Sequence, residues 1–108
     1  MKIIRKELIG ASAIPIILCV LQNGDSYGYE IVKLVKKLTN GGIEWKEASI
    51  YPVLQKLEKS GFIKSYWKIR KDERPRKYYT IEAGGKKQLE KSMGEWNMVR
   101  LVFKELQK

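Results

Sequence analysis

The fold is decided by residues 62–81, which read FIKSYWKIRKDERPRKYYTI. Side-chain character alternates along residues 62–69, and a period of two predicts a β-strand. Residues 70–76 are charged and contain a proline, which is typical of a turn. Residues 77–81 are rich in β-forming side chains and predict a second strand. The segment therefore predicts a β-hairpin.

Three helical segments precede the hairpin. Apolar residues recur every three or four positions in residues 4–22, in residues 25–38 and in residues 46–60, which is the spacing of one helix face. A glycine follows the first and the third segment and is placed to end each helix. Pro15 removes one backbone hydrogen bond inside the first helix and is expected to bend it.

Three local details of these segments are also predicted. Asp25 or Ser26 is expected to cap the second helix by accepting a hydrogen bond from a first-turn N–H group. Residues 43–45 are expected to form a short strand. Pro52 is tolerated only near the first turns of a helix, so the third helix is expected to be well formed only from residues 48–49 onward.

A last helix is predicted from Glu82 or Ala83 onward. Its apolar positions step by three or four, close to a heptad seam. They are Leu89, Met93, Trp96, Val99 or Arg100, Phe103 and Leu106. The order of elements predicts a mainly α (α+β) fold. It is a winged helix-turn-helix in residues 1–81 with a C-terminal dimerisation helix in residues 82–108, together one compact domain.

The chain is strongly basic, with 22 Lys and Arg against 12 Asp and Glu, a net charge of +10 and a pI near 9.7. Such a surplus points to a polyanion, either nucleic acid or an acidic membrane surface. Half of the net charge falls in residues 62–80, where seven basic residues face two acidic ones. The basic residues are Lys64, Lys68, Arg70, Lys71, Arg74, Arg76 and Lys77. A charged hairpin suits phosphate contacts, although such charges also protect a strand edge from aggregation.

The third helix offers a second polar surface. If Ile50, Leu54 and Leu57 face inward, the remaining side chains can reach phosphates or base edges in a major groove. The outward residues are Ser49, Tyr51, Gln55, Lys56 and Lys59. The predicted DNA contacts are therefore Ser49, Tyr51, Gln55 and Lys56 on the helix and Arg74, Arg76 and Lys77 on the hairpin. An ordinary solvent-exposed helix face is the alternative for each residue taken singly.

Several classes of protein are disfavoured by composition. With one cysteine and no histidine, the chain lacks the residues for disulfide frameworks, zinc fingers and Cys/His dyads. The acids are dispersed, so no catalytic residues, metal ligands or cofactor are predicted. Cys19 lies in an apolar run and is expected to be a small core residue of a cytoplasmic protein. Residues 11–21 are too short to span a bilayer and predict a buried helix.

Three blocks of sequence resemble the signature blocks of PadR-type regulators. They are DSYGYEI at 25–31, ASIYPVLQKLEKSG at 48–61 and RKYYTI at 76–81. Their order and spacing match, and the resemblance covers nearly the whole chain. The single short C-terminal helix resembles the compact subfamily that includes multidrug-sensing repressors of Gram-positive bacteria. The resemblance implies a homodimer, operator binding that represses a neighbouring gene, and often a small-molecule inducer.

The resemblance also implies a ligand site. In that subfamily a Trp on the last helix stacks flat ligands in a pore at the dimer interface, and Trp96 stands at the matching position. The implied wall residues are Leu8, Ala11, Pro15, Met93, Val99 and Arg100. The multidrug-binding pattern has an acid where this chain has Arg100, which favours neutral or anionic aromatics over cationic dyes. Pro15 also departs from the usual aliphatic residue. The alternative is that Trp96 is plain dimer core.

A second binding class stays open. An RNA-binding or ribosome-associated winged helix without an effector would need aromatic side chains that stack on unpaired bases. Tyr66, Trp67 and Tyr79 are the candidates. Membrane-surface binding is less favoured, because the basic cluster falls on a hairpin and not along an amphipathic helix.

Overall fold

The computed structural model describes residues 4–108. Its elements are α1 (Lys6–Gln22), β1 (Ser26–Tyr27), α2 (Gly28–Leu38), α3 (Glu47–Lys59), β2 (Ile63–Lys68), β3 (Arg76–Ile81) and α4 (Ala83–Leu106). Strands β2 and β3 confirm the predicted hairpin, which is called the wing below together with its turn. The winged helix-turn-helix with a C-terminal helix is confirmed.

The sheet contains a strand that the sequence pattern did not predict. Its order is β1-β3-β2, with both pairings antiparallel. The short strand β1 places Ser26 opposite Tyr79 and Tyr27 opposite Tyr78. The strand predicted at residues 43–45 is wrong, since those residues are irregular. A strand needs a partner, and the sheet edge beside β3 is taken by β1.

The predicted cap of α2 is also wrong. The residue at the N-cap is Tyr27, and no side chain bonds a first-turn N–H group there. The hydroxyl of Ser26, which is buried in β1, instead donates to the Glu30 carboxylate at 2.6 Å. This bond ties the third strand of the sheet to the first turn of α2.

Helix α3 starts earlier than Pro52 suggested. It begins at Glu47, so Pro52 lies inside the helix and cannot donate to the carbonyl of Ala48. Helix α1 likewise runs through Pro15 without interruption; the bend there stays a prediction.

Gly61 ends α3, as predicted, and directs the chain into β2. Its φ is 77°, in the left-handed region that glycine adopts without strain. The N–H of Gly61 donates to the carbonyl of Glu58, and the N–H of Phe62 donates to that of Leu57, both at 3.0 Å. These two bonds form a Schellman motif. The wing therefore leaves the end of α3 at a fixed angle.

The core lies where α1, α2 and α3 meet the inner face of the sheet. Its members are Ile17, Leu18, Leu21, Ile31, Val35, Ile50, Leu54, Leu57, Ile63, Tyr79 and Leu89. None is more than 4% exposed. Burying each such side chain contributes about 1.5–3 kcal/mol. Since this core is filled by one chain, the helix-turn-helix and the wing have a complete interior of their own.

Candidate nucleic-acid interface and apolar groove

The outward face of α3 is polar and exposed. Ile50, Leu54 and Leu57 are at most 2% exposed and define the inward side. At about 100° per residue, the centre of the opposite side falls near Pro52 and Lys59, with Gln55 and Lys56 about 50° to either side of it. The exposed residues there are Ala48, Pro52, Gln55, Lys56 and Lys59. Gln55 and Lys56 therefore lie outward, as predicted.

Tyr51 and Ser49 lie at opposite edges of this face. The Tyr51 ring packs on the first residue of α2, where a Cβ added to Gly28 would come within 2.9 Å of the ring. Its hydroxyl donates to Glu47 at 3.2 Å. Ser49 is exposed but borders a small depression shared with Trp45 and α1. Tyr51 and Ser49, both predicted to contact DNA, therefore lie on different sides of α3.

Burial raises the pKa of Tyr51 above its ordinary value, and the nearby charge and hydrogen bond of Glu47 raise it further. The positive charge of Arg76 acts in the opposite direction. The hydroxyl consequently stays protonated at neutral pH. A protonated phenol can donate a hydrogen bond, whereas a phenolate would repel a phosphate.

One face of the wing is turned toward α3. Tyr79 is only 2% exposed on this face, and the Ser65 hydroxyl beside it donates to Glu58 of α3 at 2.5 Å. Lys77, two residues from Tyr79 along β3, lies on the same face. It borders a cleft of about 600 Å³ between the wing and α3. The α3 residues that line this cleft are Pro52, Gln55, Lys56, Glu58 and Lys59. Lys77 therefore lies beside Gln55 and Lys56, two other residues that were predicted to contact DNA.

The other face of the wing carries aromatic and cationic side chains in alternation. The Arg76 guanidinium lies 4.5 Å from the centre of the Tyr27 ring, and the Lys68 ammonium lies 4.9 Å from that of Tyr78. Tyr66 stacks on Tyr78, with ring centres 5.9 Å apart, and donates to Asp25 at 2.6 Å. These contacts join β1 and the preceding loop to the wing.

Arg76 and Lys77 therefore lie on opposite faces, although both were predicted to contact DNA. Adjacent residues of a strand point to opposite sides, so this division was available from the sequence and was missed. Arg76 shares a polar pocket of about 370 Å³ with Arg74. Its other lining residues are Tyr27, Lys68, Arg70, Glu73 and Tyr78. Within residues 4–108, neither Arg74 nor Arg76 forms a salt bridge.

An apolar groove of about 460 Å³ lies between α1 and α4. Its lining residues are Ser12, Pro15, Ile16, Cys19, Met93, Trp96, Asn97, Val99, Arg100 and Phe103. Five of the seven predicted ligand residues are among them, whereas Leu8 and Ala11 are not. The α1 residues that were missed, Ser12, Ile16 and Cys19, follow the helical spacing around Pro15, a signal that could have found them.

Cys19 is exposed in this groove, so its interpretation as a core residue is wrong. The α1 helix is apolar on more than one side, and only the side that carries Ile17, Leu18 and Leu21 enters the core. The guanidinium of Arg100 donates to the amide oxygen of Asn97 at 3.0 Å. Among the described residues, no Asp or Glu lines the groove.

The aromatics that would favour RNA differ in accessibility. Tyr79 is buried in the core and cannot stack on a base. Tyr66 is 40% exposed but already stacks on Tyr78. Trp67 is 63% exposed. The structure therefore leaves Trp67 as the most accessible of the three.

Residues 4–108 contain no cluster of three or more side chains suited to hold a metal ion. No helix in the same range has the length and apolar character needed to cross a membrane.

Comparison with known proteins gives consistent matches. Residues 17–91 match the sequence model of the transcriptional regulator PadR-like family. A transcriptional regulator from Clostridium thermocellum is similar in structure, with a TM-score of 0.83, 35% identity and coverage of 95% of this chain and 100% of that one. Bacillus subtilis PadR, solved in complex with operator DNA, has a TM-score of 0.68 and 31% identity over 75% of this chain and 46% of its own. Uncharacterized protein X of Lysinibacillus sphaericus is 37% identical over 100 residues, which are 93% of this chain and 92% of that protein.

Proposed function

The chain belongs to the PadR-like family of transcriptional regulators, and on that premise we propose that it binds an operator as a homodimer and represses transcription until a planar aromatic molecule enters between its subunits. The observation that carries the proposal is the exposed polar face of α3 beside a basic wing. Bacillus subtilis PadR, a structural neighbour of this chain, binds operator DNA. A regulator of this class acts where the chromosome lies, so the cytoplasm is the proposed location.

The two parts of the DNA surface have different tasks. Gln55 and Lys56 lie on either side of the centre of the exposed face of α3, where side chains reach base edges when a recognition helix enters the major groove. Arg74 lies in the turn of the wing, where a cation reaches phosphates of any sequence. Helix α3 thus supplies sequence preference, and the wing supplies charge. Tyr51 and Ser49 flank the base-reading residues, and Arg76 and Lys77 extend the wing's charge to both of its faces.

The homodimer is supported by the C-terminal half of α4. Trp96 and Phe103 line the groove, whereas Met98, Leu101 and Val102 fall on the other side of the helix at about 100° per residue. The latter three are 70%, 54% and 55% exposed. A helix with large apolar side chains on two sides requires burial of both. A second copy of the chain meets this need if its α1, where Leu8 is exposed, packs on the α4 of the first.

The proposed effector site is the groove between α1 and α4, completed by the second subunit. Its apolar lining suits a flat aromatic molecule that stacks on Trp96, which gains offset aromatic contacts of about 0.5–1.5 kcal/mol beyond the area buried. Met93 is a flexible wall residue that adapts to different shapes. The charge of Arg100 favours neutral or anionic aromatics, such as flavins or phenolic acids. Leu8 and Ala11 would enter this site from the subunit interface.

Release from DNA follows from geometry. Two α3 helices of a dimer must match half-sites about 34 Å apart, or a multiple of that distance. A ligand wedged between the subunits changes this separation, provided that it binds the DNA-incompetent arrangement more tightly. Trp96 then acts as the contact through which the ligand is sensed.

The test measures the fluorescence emission of Trp96 alone, in a variant that replaces the other two tryptophans, Trp45→Phe with Trp67→Phe. A flavin or a phenolic acid is expected to quench the remaining emission and to lower affinity for duplex DNA, whereas a cationic dye is expected to do neither. Trp96→Phe in the wild-type background is the matched control, since it keeps an apolar ring of smaller area. Emission that no planar aromatic quenches, or quenching without any change in DNA affinity, would reduce Trp96 to dimer core.

A further inference from the structure

Trp67 is a large apolar side chain that stands uncovered on the face of the wing that is turned toward α3. Trp67 pairs across the hairpin with Lys77 and lies on the same face as Ser65 and Tyr79. Tyr79 is buried, yet Trp67 is 63% exposed. It lies on the wing, far along the hairpin from the core, and does not line the α1–α4 groove. Neither the core nor the proposed dimer contact therefore accounts for it.

The surroundings of Trp67 are charged. Its cross-strand partner Lys77 borders the cleft between the wing and α3, which also holds Lys56 and Lys59. The one acid in the cleft, Glu58, already accepts the Ser65 hydroxyl at 2.5 Å. The cleft thus holds three cations, and Trp67 lies beside one of them, Lys77, across the hairpin. A nucleic-acid strand has matching chemistry, since its charged phosphates alternate with the less polar faces of its sugars.

We propose that one strand of duplex DNA passes through this cleft and that Trp67 packs against deoxyribose and base edges in the minor groove next to the major groove entered by α3. The inference rests on the proposed DNA binding and adds a contact that carries no charge. Apolar side chains in the minor groove act by widening it and partly unstacking base steps. Trp67 therefore favours sequences whose steps open at low cost, such as the TA step.

A salt titration of DNA binding distinguishes this role of Trp67 from that of its cross-strand partner Lys77. Trp67→Ala removes no charge, so it is expected to lower duplex affinity about tenfold while the slope of log affinity against log salt keeps its wild-type value. Lys77→Ala is the matched control on the same face, and it is expected to reduce that slope by about one. Trp67→Leu, which keeps an apolar side chain, is expected to recover part of the affinity.

The experiment uses the full chain with fluorescent poly(dA-dT) and poly(dG-dC) duplexes, and single-stranded poly(U) as the competing class. The loss on Trp67→Ala is expected to be larger for poly(dA-dT), and the emission of Trp67 in a Trp45→Phe, Trp96→Phe variant is expected to change on duplex binding. Thermal unfolding of Trp67→Ala should match the wild type, because the side chain is exposed. Wild-type affinity in Trp67→Ala, or a stronger emission change with poly(U), would overturn the inference while leaving DNA binding intact. A wild-type protein that binds neither duplex would overturn both.

Discussion

The α3 end and the α4 end of the molecule differ in whether their large apolar side chains are covered. At the α3 end, polar and basic side chains cover a filled core, and Ile50, Leu54 and Leu57 beneath them are at most 2% exposed. At the α4 end, large apolar side chains have no cover. They are Met93, Met98, Val99, Leu101, Val102, Phe103 and Leu106, each at least 40% exposed. The core beneath the first end is covered by the chain itself, whereas the second end is the proposed dimer interface.

This difference places DNA recognition and its proposed regulation by a ligand in different parts of the molecule. The surface that meets DNA is formed by the contacts of one subunit, from the Schellman turn at Gly61 to the Ser65–Glu58 bond. The proposed effector site is completed only when a second subunit arrives. A ligand that binds at the proposed effector site would change the distance between the two DNA-binding surfaces of the dimer. It would not need to change the structure of either surface.

The largest effect is expected at the α4 end. Replacing Trp96 and Phe103 together with Asp puts two carboxylates into the proposed interface, where unpaired charges are strongly unfavourable. Sedimentation is expected to show monomers. Lys87→Asp with Lys91→Asp places the same carboxylates at exposed positions of α4 and should leave dimers. If the Trp96 and Phe103 variant still sediments as a dimer, the interface lies elsewhere.

The next effect is expected at the wing. Arg74→Ala with Arg76→Ala should weaken binding to all duplexes by similar factors and reduce the salt slope by about one per lost phosphate contact. Lys87→Ala with Lys91→Ala removes the same charge from the other end, so it should leave the slope unchanged. Equal slopes in the two double variants would show that net charge matters and its location does not.

A smaller effect, visible only between sequences, is expected on α3. Gln55→Ala or Ser49→Ala should alter the preference among duplexes by about 1–3 kcal/mol for each good base contact that is lost. Gln22→Ala, at the exposed end of α1, is the control. Because Ser49 lies at the edge of the face, its effect should be smaller than that of Gln55. Uniform losses on every sequence would remove the division of tasks between helix and wing.

The smallest effect is expected in alkaline solution. Burial raises the pKa of Tyr79 above its ordinary value of 10.0, and the charge of Glu58 adds to this. Losing the proton is then harder in the folded chain than in the unfolded one, so the contribution of Tyr79 to the free energy of unfolding should be constant below about pH 10 and fall above it. Urea titrations should show a shallower fall for Tyr79→Phe than for Tyr29→Phe, which changes an exposed ring. Parallel curves for the two variants would contradict this origin.

Much of the fold follows from local periodicity. The four helices were predicted because apolar residues recur every three or four positions. The hairpin was predicted because side-chain character alternates with a period of two, as in residues 62–69. Strand β1 was not, because Ser26 and Tyr27 are extended only through pairing with Tyr79 and Tyr78, about fifty residues away in sequence. Residues 43–45 have the composition of a strand but do not pair with a strand of the sheet.

The candidate sites show the same limit. Exposure of Gln55 and Lys56 follows from the buried positions of their own helix, so the sequence predicts it. The division between Arg76 and Lys77 follows from strand alternation, but the contact of Arg76 with Tyr27 depends on β1. Cys19 was misjudged because an apolar helix does not reveal which of its sides enters the core and which lines the groove between α1 and α4.

Binding of duplex DNA by a dimer through α3 and the wing is tested by a genome-wide DNA pull-down with footprinting of the bound fragments. Discrete footprints are expected, each containing two related half-sites one helical turn, about 34 Å, or a multiple of that distance apart. Even recovery of all duplex fragments, or retention of RNA in preference to duplex DNA, would contradict it.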